Sequence, residues 1–112
     1  MKNYALKWLL QRVTASILIP LTFWFIYSAI SLSKMAYDET AIFFQSYLNS
    51  FLFYLMMITM FIHANMGLQT IIDDYVTSKK IYKFIKWTIN LISYFLMILV
   101  TIFIFKILIF ND

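Results

Sequence analysis

The chain has little of what breaks, bridges or charges a fold. In 112 residues there is no cysteine, one glycine, one proline and one histidine, and only 12% of the side chains are charged. Without cysteine there is neither a disulfide framework nor a thiolate metal site, and thiols say nothing about redox compartment. A single glycine excludes a glycine-rich phosphate loop, and no nucleophile has an adjacent base, so nucleotide-binding, hydrolytic and substrate-dehydrogenating sites drop out. The charged fraction is roughly half that of an ordinary soluble domain. Instead, 63% of the residues are hydrophobic and 21% aromatic. Uncharged apolar stretches of about 18 or more residues read as membrane spans, which predicts an integral membrane protein. The net charge of +4 comes from basic residues flanking those stretches, where Lys and Arg set topology, and nucleic acid is not an expected partner.

Three uncharged runs predict an all-α fold with three transmembrane helices, at about 13–33, 50–72 and 87–106, in a single domain over 1–112. A basic lead with Lys2, Lys7 and Arg12 precedes the first, and Trp8 suits an interfacial anchor. That run exceeds the roughly 7–15 residues of a signal-peptide core, so a retained helix is expected, with Pro20 tolerated inside it. The uncharged stretch 40–72 would measure about 50 Å as one straight helix, against a hydrocarbon core of about 30 Å. Its first part, 41–50, with Tyr47, Asn49 and Ser50, is therefore expected at the interface. The polar connection 34–40 carries Asp38 and Glu39, and a second loop at 73–86 carries Lys79, Lys80, Lys83 and Lys86. Lys106 and a short apolar tail follow the last span. The positive-inside rule puts the N-terminus and second loop in the cytoplasm and the C-terminus outside, which in a bacterium means the inner membrane and periplasm. Repeats, linkers and a GxxxG pattern are absent.

The stretch around which the chain is organised runs from His63 to Val76 and holds the only histidine and the only glycine. On one helix His63, Gly67, Thr70 and Asp74 share a face, and Asp74 lies about 16 Å along the axis from His63. An ionisable group at mid-depth is costly unless partnered. His63 thus has three readings: hydrogen bonding to a neighbouring helix or a buried water, proton relay, and metal or haem ligation. In the third a methionine or a partner subunit must complete the iron, because this chain has no second histidine. Gly67 admits close helix packing or room for a flat macrocycle beside the ligand. Asn65 and Gln69 lie off that face and are expected to hydrogen-bond between helices. Asp73, Asp74 and Tyr75 read either as polar helix-end residues or as a phenol and carboxylate for a quinone headgroup, whose oxygens take up protons as electrons arrive. Arg12 reads as a snorkelling anchor or as a contact to a haem propionate or a quinone oxygen. The lysines of 79–86 read as topological and lipid-facing, with an acidic cytoplasmic partner as the alternative.

His63, Ala64, Gly67, Gln69, Asp74, Tyr75 and Val76 together resemble the second helix of the hydrophobic D-type membrane anchor of succinate dehydrogenase. Gln11, Arg12, Val13, Thr14 and Ala15 resemble the Arg-x-Thr-Ala stretch that opens its first helix. The likeness spans nearly the whole chain. It implies half of a heterodimeric haem-binding helix bundle, with His63 one axial ligand of a haem b shared with a C-type anchor subunit. It also implies that Tyr75, with Asp74 beside it, contacts ubiquinone as substrate. The implied partners are the C-type anchor, an iron-sulfur subunit and a flavoprotein that oxidises succinate in the tricarboxylic acid cycle. The chain itself would catalyse nothing alone. Two other functions stay open: the anchor of a fumarate reductase, and a small proton-coupled transporter or channel subunit using His63 and Asp74.

Overall fold

A computed structural model describes residues 4–109. Lys2 of the basic lead and the end of the apolar tail, 110–112, lie outside the described residues. The chain is all α: α1 (Tyr4–Leu32), α2 (Tyr37–Gln45), α3 (Tyr47–Tyr75) and α4 (Lys79–Ile109). Three of these, α1, α3 and α4, are long and apolar enough to cross a membrane, which agrees with the expected number of spans. At about 1.5 Å per residue, 29 to 31 residues reach about 45 Å, so each helix outruns the hydrocarbon core at its ends. The bundle measures 50 × 25 × 22 Å along its principal axes.

The connections differ from the expected ones, for a common reason. Lysines and carboxylates near a membrane surface do not stop a helix, because their side chains reach water while the backbone keeps its hydrogen bonds. Helix α1 accordingly begins at Tyr4, well before residue 13. The expected second loop at 73–86 is only the turn 76–78: Asp73 is still in α3, and all four lysines belong to α4. Ser78 sits just before α4, its Oγ accepting from Ile81 N at 3.5 Å. The interfacial stretch before α3 folds mostly into α2, separated from α3 by an extended residue at Ser46 (φ −69°, ψ 123°). Ser46 caps α3 by accepting from Asn49 N at 3.4 Å. Asn49 Nδ2 donates to Phe43 O at 3.2 Å, and the fully buried Ser50 hydroxyl donates to Phe44 O. The polar residues that mark 41–50 as interfacial thus satisfy the carbonyls at the end of α2.

Helix α3 is central and packs against α1, α2 and α4. At the end carrying α2, Phe44 is buried edge-on against Phe53 (5.1 Å) and Phe103 (5.7 Å), while Trp24 stacks on Phe43 at 6.3 Å. Aromatic pairs of this kind contribute about 0.5–1.5 kcal/mol beyond burial. Lipid competes well with apolar side chains, so polar contacts between helices carry much of the register. Asn65 Nδ2 of α3 donates to Asn90 Oδ1 (3.1 Å) and Ser93 Oγ (2.8 Å) of α4. Gln69 Nε2 donates to Asn90 Oδ1 (3.2 Å) and to Asn65 Oδ1. Tyr54 and Thr101 pair at 2.9 Å nearer the aromatic end. Asn65 and Gln69 therefore do bridge helices, as their position off the His63 face suggested.

Candidate functional site

His63 lies inside α3, half-buried, and its Nδ1 is 2.9 Å from Thr14 Oγ1 of α1. Thr14 is only 6% exposed, and its hydroxyl also reaches Leu10 O at 2.7 Å and Gln11 O at 3.2 Å. The ring is therefore turned toward the first helix by a hydroxyl anchored on that helix's own carbonyls. Its Nε2 makes no hydrogen bond among the described residues. One turn on, a Cβ built on Gly67 would meet nothing within 4 Å. Among the described residues nothing presses on Gly67, and the face it shares with His63 is open there. The described residues contain no group of three or more His, Cys, Asp or Glu side chains able to hold a metal ion, so a metal at His63 would need most of its ligands from elsewhere.

At the basic end of the bundle a cavity of about 600 Å³ opens between α1, α3 and α4. Lys7, Trp8 and Gln11 line it from α1, Thr70, Asp73 and Asp74 from α3, and Tyr82 from α4. The two acidic neighbours have different surroundings. Asp73 is the hub: its carboxylate lies 3.7 Å from Lys7 Nζ and 3.0 Å from Lys86 Nζ, and it accepts from the Tyr82 hydroxyl. Tyr82 and Lys86 are one turn apart on α4, so both reach the same carboxylate. Lys7 Nζ also donates to Gln69 Oε1 at 3.4 Å, linking this end to the Asn65–Asn90 ladder. Asp74 has no hydrogen bond or ion pair among the described residues and faces the cavity.

Tyr75 is 80% exposed and does not line this cavity. It is the last residue of α3, and its side chain is largely uncovered by the described residues. Arg12 is exposed, with its guanidinium 5.2 Å from the centre of the Trp8 ring, and stands beside the cavity wall rather than in it. Four contributors went unassigned in the sequence reading: Thr14, Lys7, Tyr82 and Asn90. The signal for Asn90 was present, since an amide inside an otherwise apolar span needs a partner. Thr14 and Lys7 carry none of that kind, because a hydroxyl can bond back to its own helix and a lysine beside a span can reach water.

Among the described residues, then, three long apolar helices carry one imidazole partway along the central one and a polar cavity at their basic end. The family model for the succinate dehydrogenase/fumarate reductase transmembrane subunit matches residues 3–105. The chain belongs to that family. No match was found among curated proteins.

Proposed function

We propose that this chain is the D-type anchor of a succinate dehydrogenase, holding the flavoprotein and iron-sulfur subunits at the cytoplasmic face of a bacterial inner membrane. In this reading the N-terminus is cytoplasmic and the C-terminus periplasmic, because six of the eight described basic residues, Lys7, Arg12, Lys79, Lys80, Lys83 and Lys86, gather at one end of the bundle and only Lys34 and Lys106 at the other. Membership of the succinate dehydrogenase/fumarate reductase transmembrane-subunit family supports the reading, and the single observation that carries its chemistry is the orientation of His63. A ring whose Nδ1 is occupied and whose Nε2 is unpartnered, beside a glycine notch, fits one axial ligand of a haem b completed by a C-type anchor. Bound there, a haem would supply a one-electron store between helices. This chain's part is to hold the ligand nitrogen and keep the notch clear.

Two residues at the end of α3, Asp74 on the cavity and Tyr75 outside it, support the second half of the proposal, a contribution to ubiquinone reduction. Asp74 and Tyr75 stand at the same end of α3, with Asp74 facing the cavity and without a hydrogen bond or ion pair among the described residues, and Tyr75 exposed. The phenol can donate to a quinone carbonyl oxygen, and the carboxylate can orient it or pass a proton inward from water. Arg12, its guanidinium over Trp8, keeps N–H donors at the edge of its plane that a propionate or a quinone oxygen could accept from.

A proton-coupled transporter would need a polar track from His63 to Asp74. On that face stand Gly67, which has no side chain, and Thr70, whose hydroxyl donates to Met66 O of its own helix at 3.0 Å. The anchor reading is thus the better supported. Purifying the complex with His63→Ala tests it: loss of a low-spin b-type haem spectrum is expected, and an unchanged spectrum removes the ligand assignment. Comparing succinate oxidation with fumarate reduction by the same complex tests its direction.

A further inference from the structure

We infer that Thr14 is a positioning residue for His63: it fixes the imidazole as the tautomer protonated at Nδ1 and so leaves the Nε2 lone pair for a metal. The inference rests on the reading of His63 as an axial ligand. The argument begins with one proton. A threonine hydroxyl has a single hydrogen and two lone pairs. The two carbonyl oxygens beside Thr14 Oγ1, Leu10 O at 2.7 Å and Gln11 O at 3.2 Å, can only accept. The hydroxyl proton therefore goes to the α1 backbone, and a lone pair of Oγ1 faces His63 Nδ1 at 2.9 Å. Two lone pairs in that position would repel, so Nδ1 carries the hydrogen and donates it. A neutral imidazole has only one N–H, which leaves Nε2 bare.

Three features make the arrangement durable. Thr14 is almost fully covered, so water does not compete for its oxygen. Threonine in a helix is stiff at χ1 and bonds back to the preceding turn, which fixes the position of Oγ1. The α1 carbonyls are already in the helix ladder, and the hydroxyl extends one of them toward the ring. The polarity of the chain is Nδ1–H to Oγ1, then Oγ1–H to Leu10 O. Donation by Nδ1 raises electron density on Nε2 and makes it a stronger ligand to oxidised iron.

The test uses the assembled membrane complex carrying Thr14→Val, which keeps the shape and removes the acceptor, beside Thr14→Ser, which keeps the hydroxyl. Readouts are haem content, the midpoint potential of haem b by redox titration, and the g values of the low-spin ferric signal. Thr14→Val is expected to bind haem up to about tenfold more weakly, to shift the midpoint upward and to move the g values. Thr14→Ser should restore all three. Thr14→Ala, which cannot overpack, carries the same expectation if the valine variant does not assemble. Haem that titrates as wild type in Thr14→Val or Thr14→Ala overturns the role of Thr14 and leaves His63 as ligand. An unchanged haem in His63→Ala overturns the ligand reading itself, so the two failures are distinguishable.

Discussion

Lys86 of α4 and Asp73 of α3 meet at 3.0 Å across the basic end of the bundle, and Lys7 of α1 approaches the same carboxylate at 3.7 Å. One side chain thereby ties the ends of all three long helices. Its neighbour Asp74 ties nothing, so the adjacent acids divide into a structural one and one free for chemistry.

That division gives a first prediction. The lysine side chains are only 13% and 17% exposed, so removing their counter-charge leaves two largely covered cations unpaired. Asp73→Asn should destabilise the complex by about 1–2 kcal/mol, more than an exposed pair is worth. Asp74→Asn should change stability by no more than about 0.5 kcal/mol and should instead slow quinone reduction. Thermal unfolding of the detergent-solubilised complex, set beside its quinone-reductase rate, separates the two.

The two tyrosines at this end should part in the same way. Tyr82 spends its hydroxyl on Asp73, so Tyr82→Phe should cost about 1 kcal/mol of stability with little change in the rate once assembled. Tyr75 is exposed and makes no hydrogen bond among the described residues, so Tyr75→Phe should leave folding untouched and lower the quinone-reduction rate by about 10- to 100-fold. A Tyr75→Phe complex that reduces quinone at the wild-type rate would remove the phenol from the site.

The mid-span ladder makes a third prediction. Asn90 accepts from both Asn65 and Gln69, yet interhelical hydrogen bonds in membranes average only about 0.6 kcal/mol. Asn90→Ala should therefore cost about 1 kcal/mol. A double-mutant cycle with Asn65→Ala should give a coupling energy of about 0.5 kcal/mol. A coupling of zero would mean that the amides find other partners once separated.

Number, length and helical character of the spans were legible in the sequence because an uncharged run of bilayer length has one stable backbone solution. The overlong run before Phe51 announced a break, but only the geometry at Ser46 located it. The second connection is shorter than its charge suggests, because charge does not imply an irregular chain and α4 carries its lysines on helical backbone. His63 and Asp74 stood out as ionisable groups in or beside lipid. What ranks Asp74 against Asp73 did not: one residue turns a helix by about 100°, so the choice between them is made by where α1 and α4 happen to lie. Thr14 and His63 are 49 positions apart, and no local pattern joins them.

Gly67 offers the last prediction. Close packing and cofactor clearance both call for glycine, but they differ in what a side chain would strike. Within this chain a Cβ at Gly67 meets nothing, so the chain alone gives no reason for glycine, and alanine would even favour the helix by about 1 kcal/mol. Gly67→Ala should therefore leave membrane insertion and helix content intact. Gly67→Phe should insert equally well yet lose haem, because its ring fills the notch one turn from His63. Haem content per complex, measured beside the yield of the inserted chain, checks this. A phenylalanine variant with full haem would mean that the notch faces lipid, whereas loss of the partner anchor together with the haem would assign it to the contact between the two anchors.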